Sequence, residues 1–415
     1  MIKTIFPSTV KGRLKAPASK SVAQRALAIA SLADGESRLF HAGDSDDVRA
    51  AIRVCRLLGA TITEEGEFLR IRGGLSHPLA ALDCGEAGLG IRMFSALAAI
   101  SSQETVLTGS GSLVSRPMDM IEHSLKAAGA HCTTTSGKVP ITVRGPLPGG
   151  MVKVDGSVSS QVLTGLLIAA PYALSSTRYV VKDLKSRPYV DITTRMMKEF
   201  GVAVENRNYE EFMVPAPAVY TAKDYIVEGD WSGAAFWLVA AAVAGEITID
   251  NLDPVSAQAD IAILKAMEAC GANFHWNKKS IHIQKTPLKA FEFDATHCPD
   301  LFPPLVALAA ACKGVTRIKG VSRLKVKESD RATALKAEFG KMGLNIQLDD
   351  DIMIIPGGRL TGAEVSSHHD HRIAMACAIG ALTAVGPVTI HDAFAVAKSY
   401  PRFYDDLEKL VKNGK

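Results

Sequence analysis

The chain of 415 residues predicts an α/β protein of two domains, each an inside-out α/β barrel of β-α-β-α-β-β repeats. Six such repeats, three per domain, surround buried helices. Three observations carry this reading. Glycines recur at Gly59, Gly129, Gly201, Gly271 and Gly343, at intervals of 70, 72, 70 and 72 residues. Each follows an amphipathic helical stretch and precedes two alternating strands around a polar turn, as a helix C-cap before a hairpin does. Six further segments, starting at Arg25, Arg92, Val162, Ala234, Pro304 and Ile373, are Ala-rich and apolar nearly all round, which places a helix inside a domain.

In chain order, residues 1–13 have strand composition and precede the first helix. The first repeat then runs from that helix through Gly59 to a hairpin over 60–73, and the next four follow the same plan, the last with a hairpin over 344–358. One further interval of 71 residues reaches Gly414 after the helical stretch from Tyr404, with no hairpin left. The amino-terminal residues are therefore expected to complete the sixth unit, in a circularly permuted array. Residues 14–226 hold repeats one to three, and 227–415 with 1–13 hold repeats four to six. Two linkers would join these halves, the arrangement a hinge needs.

Composition narrows the function classes. Apolar residues make up 47% and charged residues 22%, and 47 Lys+Arg against 43 Asp+Glu leave a net charge of +4. That charge is too small to imply a nucleic-acid or membrane-surface partner. The seven cysteines are scattered and never in C-x-x-C spacing, which fits a reduced, cytoplasmic chain. The amino terminus lacks the pattern of a signal peptide, and the apolar run from Ala234 to Gly245 falls short of the ~18 residues that span a bilayer.

The chemistry is expected at the amino ends of the buried helices, where free N–H groups and the helix dipole favour anions. These starts read Ser19-Lys20-Ser21, Gly85 to Arg92, Ser157 to Gln161, Asp230 to Gly233, Pro299-Asp300 and His369 to Arg372. Any one of them is ordinary capping chemistry. Cations gather at or just inside these and the second helix starts, at Lys20, Arg25, Arg92, Arg116, Lys327, Arg331, Arg372 and Lys398. A cation there opposes the dipole unless an anion is bound, so the repeated pattern points to small polyanionic ligands. Gly85, Gly88 and Gly90 do not form a dinucleotide fingerprint, so no nucleotide cofactor is indicated. His368 to His371 are adjacent residues that do not share a helix face, so no metal is expected, and no nucleophilic triad is discernible.

Seven ordered segments carry a resemblance: Ser19-Lys20-Ser21 with Arg25, Ser45 to Arg49, Val154 to Gln161, Ser186 to Thr193, Lys325 to Arg331, Asp370-His371-Arg372 and Ala397-Lys398-Ser399. On these the chain resembles the 5-enolpyruvylshikimate-3-phosphate synthase family of enolpyruvyl transferases over essentially its whole length. The resemblance implies two similar domains of three repeats each. It implies transfer of the enolpyruvyl group of phosphoenolpyruvate to the 5-hydroxyl of shikimate 3-phosphate by addition and elimination, without metal or organic cofactor, in a monomer. Shikimate 3-phosphate would be held by Lys20, Ser21, Arg25, Ser159, Ser160, Gln161, Ser186, Asp300 and Lys327. Phosphoenolpyruvate would be held by Lys20, Gly88, Arg116, Arg331, Arg372 and Lys398. Asp300 is the expected base at the hydroxyl, with Glu328 and Lys20 moving the proton at the methylene carbon; Glu328 alternatively pairs with Arg331, three residues on. Ligand binding is expected to close the two halves.

The chain departs from the family pattern in its second repeat. Glu86, Leu89 and Met93 stand where an Asn, a Thr and a Pro are usual, which bears on phosphoenolpyruvate affinity and glyphosate sensitivity. Arg323 replaces a common asparagine and Ala18 a common glycine. Two other readings are a UDP-N-acetylglucosamine enolpyruvyl transferase and a non-catalytic anion or RNA-end binder on the same repeat. The stretch from Gly109 to Met118 lacks the reactive cysteine of the first, and keeping Asp300, Glu328 and Lys20 together argues against the second.

Overall fold

The computed structural model describes residues 1–76 and 80–413, so Gly414, the last glycine of the repeat series, lies outside the described residues. The chain forms two compact units, one of residues 18–227 and one of 1–17 with 228–415.

The repeat is clearest over residues 150–214. Strand Gly150–Asp155 lies parallel to Thr177–Lys182 in a register from Gly150 opposite Thr177 to Asp155 opposite Lys182. The hairpin of Glu205–Arg207 and Glu211–Val214 completes the sheet, with Glu211–Val214 antiparallel to Thr177–Lys182. Helix Ser160–Ala169 joins the two parallel strands, and helix Arg187–Glu199 leads to the hairpin. Gly59, Gly129, Gly201, Gly271 and Gly343 all take positive φ, between 84° and 113°, the conformation that ends a helix where a Cβ would be strained.

The inner helices are Lys20–Leu32, Gly88–Ala98 and Ser160–Ala169 in one unit, and Trp231–Ala244, Phe302–Ala310 and His371–Ala381 in the other. Every residue of Trp231–Ala244 is buried, as expected of a helix with no polar face. Small residues let these helices touch closely: a Cβ added at Gly165 would stand 2.8 Å from the Met93 backbone. No helix among the described residues is long and apolar enough to cross a membrane.

Two features differ from the expectation. Among the described residues the strands form separate sheets, five of four strands and one of three, and none of these closes into a barrel. The amino-terminal segment also divides. Strand Lys3–Ile5 pairs with Val385–His391 in the sixth repeat, but Val10–Lys15 lies parallel to Gly245–Asp250 in the fourth. Tyr225–Ile226 plays the matching part in the other unit, parallel to Leu39 and Phe40 of strand Glu36–Phe40. The strand before each unit's first helix is thus built into the sheet of the other unit, and the linkers follow Pro17 and Val227. Composition marks residues 10–15 as strand-forming and says nothing about which sheet has an open edge.

Candidate active site

In the unit of residues 18–227, Lys20 opens its helix and its Nζ donates to Asp47 Oδ2 at 2.8 Å. Asp47 lies in the first turn of helix Asp46–Leu57, where a carboxylate is favoured by the dipole. Arg25 is 1% exposed and donates to Thr193 Oγ1 at 2.9 Å, the Ser21 carbonyl at 2.7 Å, Thr164 Oγ1 at 3.3 Å and the Tyr189 carbonyl at 3.2 Å. These are all neutral oxygens, and burial lowers its guanidinium pKa to about 10. It remains charged at neutral pH, with its charge only partly compensated by dipoles.

Gly88 opens the next inner helix. Arg92 Nη1 donates to the Gly88 carbonyl at 3.0 Å and to Gln161 Oε1 at 3.1 Å. A Cβ at Gly88 would stand 2.7 Å from Arg116 Nη1 and 2.9 Å from Arg92 Nη1, so two guanidinium groups approach this helix start through the space its missing side chain leaves. Ser159 caps the third helix, its Oγ accepting from Gln161 N at 3.2 Å, and Ser160 is buried behind it. Ser186 precedes helix Arg187–Glu199 with φ 54°, a left-handed backbone that costs a non-glycine residue about 1 kcal/mol or more.

In the other unit the hub is Asp300. Its Oδ1 accepts from Lys327 Nζ at 3.2 Å and Arg331 Nη1 at 2.9 Å, and its Oδ2 accepts from Arg372 Nη2 at 3.2 Å. Arg331, fully buried, also donates to Asp370 Oδ2 at 2.9 Å and Glu328 Oε2 at 2.5 Å. Asp370 accepts from Arg372 N at 2.9 Å as the cap of its helix, and Arg372 Nη1 donates to Ser232 Oγ. Lys398, 6% exposed, ends the turn Ala393–Lys398. Burial alone would raise the Asp300 pKa, but Arg372, Lys327 and Arg331 outweigh it and hold the carboxyl well below the usual range. Burial lowers the Lys327 pKa, with Asp300 opposing. For Arg331, Asp370, Glu328 and Asp300 overcome burial and raise the value.

These contacts revise part of the sequence-based picture. Only Lys20, Arg331 and Arg372 stand in the first turn of a helix; Arg25 and Arg92 lie further in, and Arg116 precedes a helix. Several cations opposing the dipole are offset internally by Asp47, Asp300, Glu328 and Asp370. Asp300 is not a cap: it sits in the turn Pro299–Leu301 before helix Phe302–Ala310, with its carboxylate spent on cations. Glu328 does pair with Arg331. Asp47, Thr164, Thr193, Ser232 and Asp370 had no assigned role from sequence. Asp47 and Asp370 were inside the recognised segments, and their charge beside Lys20 and Arg372 was the available signal. Arg323 has its pKa lowered by burial, with Asp300 and Asp351 opposing.

Asp260 carried no sequence signal at all. It is 2% exposed, in the turn Ala259–Ala262, and its pKa is pushed up to about 7 by burial first and then by Asp300, while Arg372 and the Ser232 hydroxyl oppose and Asp230 adds a little. A carboxyl whose pKa rises on folding stabilises the fold in its protonated form. That contribution is whole below the ordinary value of 3.8 and is lost as pH rises through about 7. Asp260→Asn is expected to flatten the fall of thermal midpoint across this window, and an equally steep fall in parent and variant would exclude Asp260 as its source.

Arg25, Arg92, Arg331 and Arg372, all buried, lie on the helices of a repeated α/β fold, a placement of charge suited to small anions. The family model of EPSP synthase (3-phosphoshikimate 1-carboxyvinyltransferase) matches residues 6–407. The 3-phosphoshikimate 1-carboxyvinyltransferase of Methanocorpusculum labreanum is 39% identical over 409 residues, covering 97% of each chain. That of Clostridium novyi is 36% identical over 419 residues, covering 98% of this chain and 96% of its own. The EPSP synthase structure from Acinetobacter baumannii aligns with TM-score 0.83 at 28% identity, covering 99% of this chain and 98% of that one. The enolpyruvyl transferase NikO from Streptomyces tendae, at 16% identity and TM-score 0.79 over 99% of this chain and 97% of its own, shares the fold. The chain belongs to the EPSP synthase family.

Proposed function

We propose that the chain transfers the carboxyvinyl group of phosphoenolpyruvate to the 5-hydroxyl of shikimate 3-phosphate, releasing phosphate, as a cytoplasmic monomer on the route to chorismate. The observation that carries this most is Asp300, a carboxylate held ionised by Lys327, Arg331 and Arg372. Both substrates bear a phosphate and a carboxylate, and those anions compete with Asp300 for the same cations. As Lys327 and Arg372 turn to substrate, Asp300 loses the charges that depress its pKa and becomes a stronger base.

In the addition step Asp300 takes the hydroxyl proton as the 5-oxygen bonds to C2 of phosphoenolpyruvate, and a proton from Lys20 or Glu328 reaches C3. Elimination returns a methyl proton to that group and breaks the C2–O bond to phosphate. Lys20, Ser21, Arg25, Ser159, Ser160, Gln161, Ser186, Asp300 and Lys327 are proposed to hold shikimate 3-phosphate. Lys20, Gly88, Arg116, Arg331, Arg372 and Lys398 are proposed to hold phosphoenolpyruvate. No step needs a redox change, and fixed cations supply the electrostatic stabilisation.

The test is phosphate release from phosphoenolpyruvate with shikimate 3-phosphate and UDP-N-acetylglucosamine as separate acceptors. Release with the first alone is expected; release with the second alone would overturn the reading. Gly88→Ala is expected to raise the phosphoenolpyruvate KM about tenfold or more, since its methyl would displace Arg116 and Arg92. An unchanged KM would remove Gly88 from the site.

A further inference from the structure

Glu86 stands at a position where the resemblance anticipates a neutral amide. Its Oε2 accepts two hydrogen bonds from one residue, Ser112 N at 3.0 Å and Ser112 Oγ at 2.8 Å. Ser112 lies in the short turn Gly111–Ser115, which ends directly before Arg116. The turn is tied to the same stretch a second time, by Ser110 N donating to the Gly85 carbonyl at 2.8 Å. A Cβ at Gly111 would stand 2.3 Å from the Glu86 carboxylate, so the backbone packs directly onto that side chain. The turn's other end is fixed by Leu113, which is fully buried and whose carbonyl accepts from Arg116 N at 3.2 Å.

We infer that Glu86 is a positioning residue, which clamps the turn Gly111–Ser115 onto the start of the Gly88 helix and so holds Arg116 in register over Gly88. Its carboxylate is directed at the turn's N–H and hydroxyl, donors that a carboxylate binds more strongly than an amide oxygen does. The charge at this position thereby serves the arrangement of a cation. The inference rests on the proposed role of Arg116 in holding phosphoenolpyruvate. It differs from a general packing role because only one substrate should sense its loss.

The experiment combines kinetics of phosphate release with amide hydrogen exchange over residues 110–116 in the free full-length protein, for the parent, Glu86→Ala, Glu86→Gln, Ser112→Ala and the Glu86→Ala/Ser112→Ala pair. Glu86→Ala is expected to speed exchange in the turn and raise the phosphoenolpyruvate KM about 10- to 100-fold, leaving the shikimate 3-phosphate KM unchanged. Glu86→Gln, which keeps an acceptor oxygen but not the charge, should fall between the parent and Glu86→Ala in both readouts. The pair should lose little more than Glu86→Ala alone. Unchanged exchange, or faster exchange with an unchanged phosphoenolpyruvate KM, would overturn the inference. A rise in both KM values would also overturn it, as general damage. A parent inactive with both substrates would overturn the functional reading, and the exchange data would still decide the clamp.

Discussion

Asp300→Asn is expected to lower kcat by about 10²- to 10⁴-fold while shikimate 3-phosphate binds at least as tightly as to the parent. The amide cannot take the hydroxyl proton, so turnover falls. Its neutrality also frees Lys327, Arg331 and Arg372 from a carboxylate that occupies them in the free protein, which favours substrate anions. Titration calorimetry beside a phosphate-release assay separates these effects. The parent should show a related pH signature. Its free Asp300 sits well below the ordinary carboxylate range, so the acid limb of kcat/KM lies at low pH. The limb of kcat should lie higher, because bound anions draw the cations away. Parent-like kcat in the variant, or coincident limbs, would remove Asp300 as the base.

The second large effect is on stability. Asp370 and Arg331 are both fully buried and joined by Arg331 Nε at 2.9 Å. Asp370 also accepts from Ser329 Oγ at 3.1 Å and Arg372 N at 2.9 Å. Removing Asp370 takes from the buried Arg331 one of its three carboxylates and from the helix its cap, and breaking a buried pair costs about 3–5 kcal/mol. Asp370→Ala is therefore expected to lower the thermal midpoint of the unit containing residues 228–415 by about 6 to 20 °C. Asp370→Asn, which keeps an acceptor for the helix cap, should lose less. A shift below about 2 °C in Asp370→Ala would mean that Glu328 and Asp300 suffice to hold Arg331.

Much of this fold could be read along the sequence because its signals are local. A glycine that needs positive φ, an alternating strand and an all-apolar helix each declare themselves within a dozen residues, and their recurrence supplied the repeat. Pairing choices are not local. Val10–Lys15 could be recognised as a strand, yet its partner Gly245–Asp250 was set by which sheet lacked a neighbour. The candidate site divides in the same way. Lys20, Arg25, Arg331 and Arg372 stood out as cations in recognisable segments. That Arg25 is met by neutral oxygens whereas Arg331 is enclosed by three carboxylates depends on side chains far apart in sequence. Asp260 was invisible because an acidic residue in a short turn ordinarily faces water; its burial comes from the surrounding pack.

The pairing of strands far apart in sequence also bears on the order of events during synthesis. Residues 18–227 contain every strand of three sheets, so that half can complete its pairing while the ribosome is still making the rest. Lys3–Ile5 must wait for Val385–His391, about 20 to 80 s later at ordinary elongation rates. Val10–Lys15 waits for Gly245–Asp250. A strand left open for so long invites wrong partners, and this one carries Lys11, Arg13 and Lys15 in six residues. Such charges disfavour wrong pairing of an open strand, and would keep Val10–Lys15 unattached until its own sheet exists.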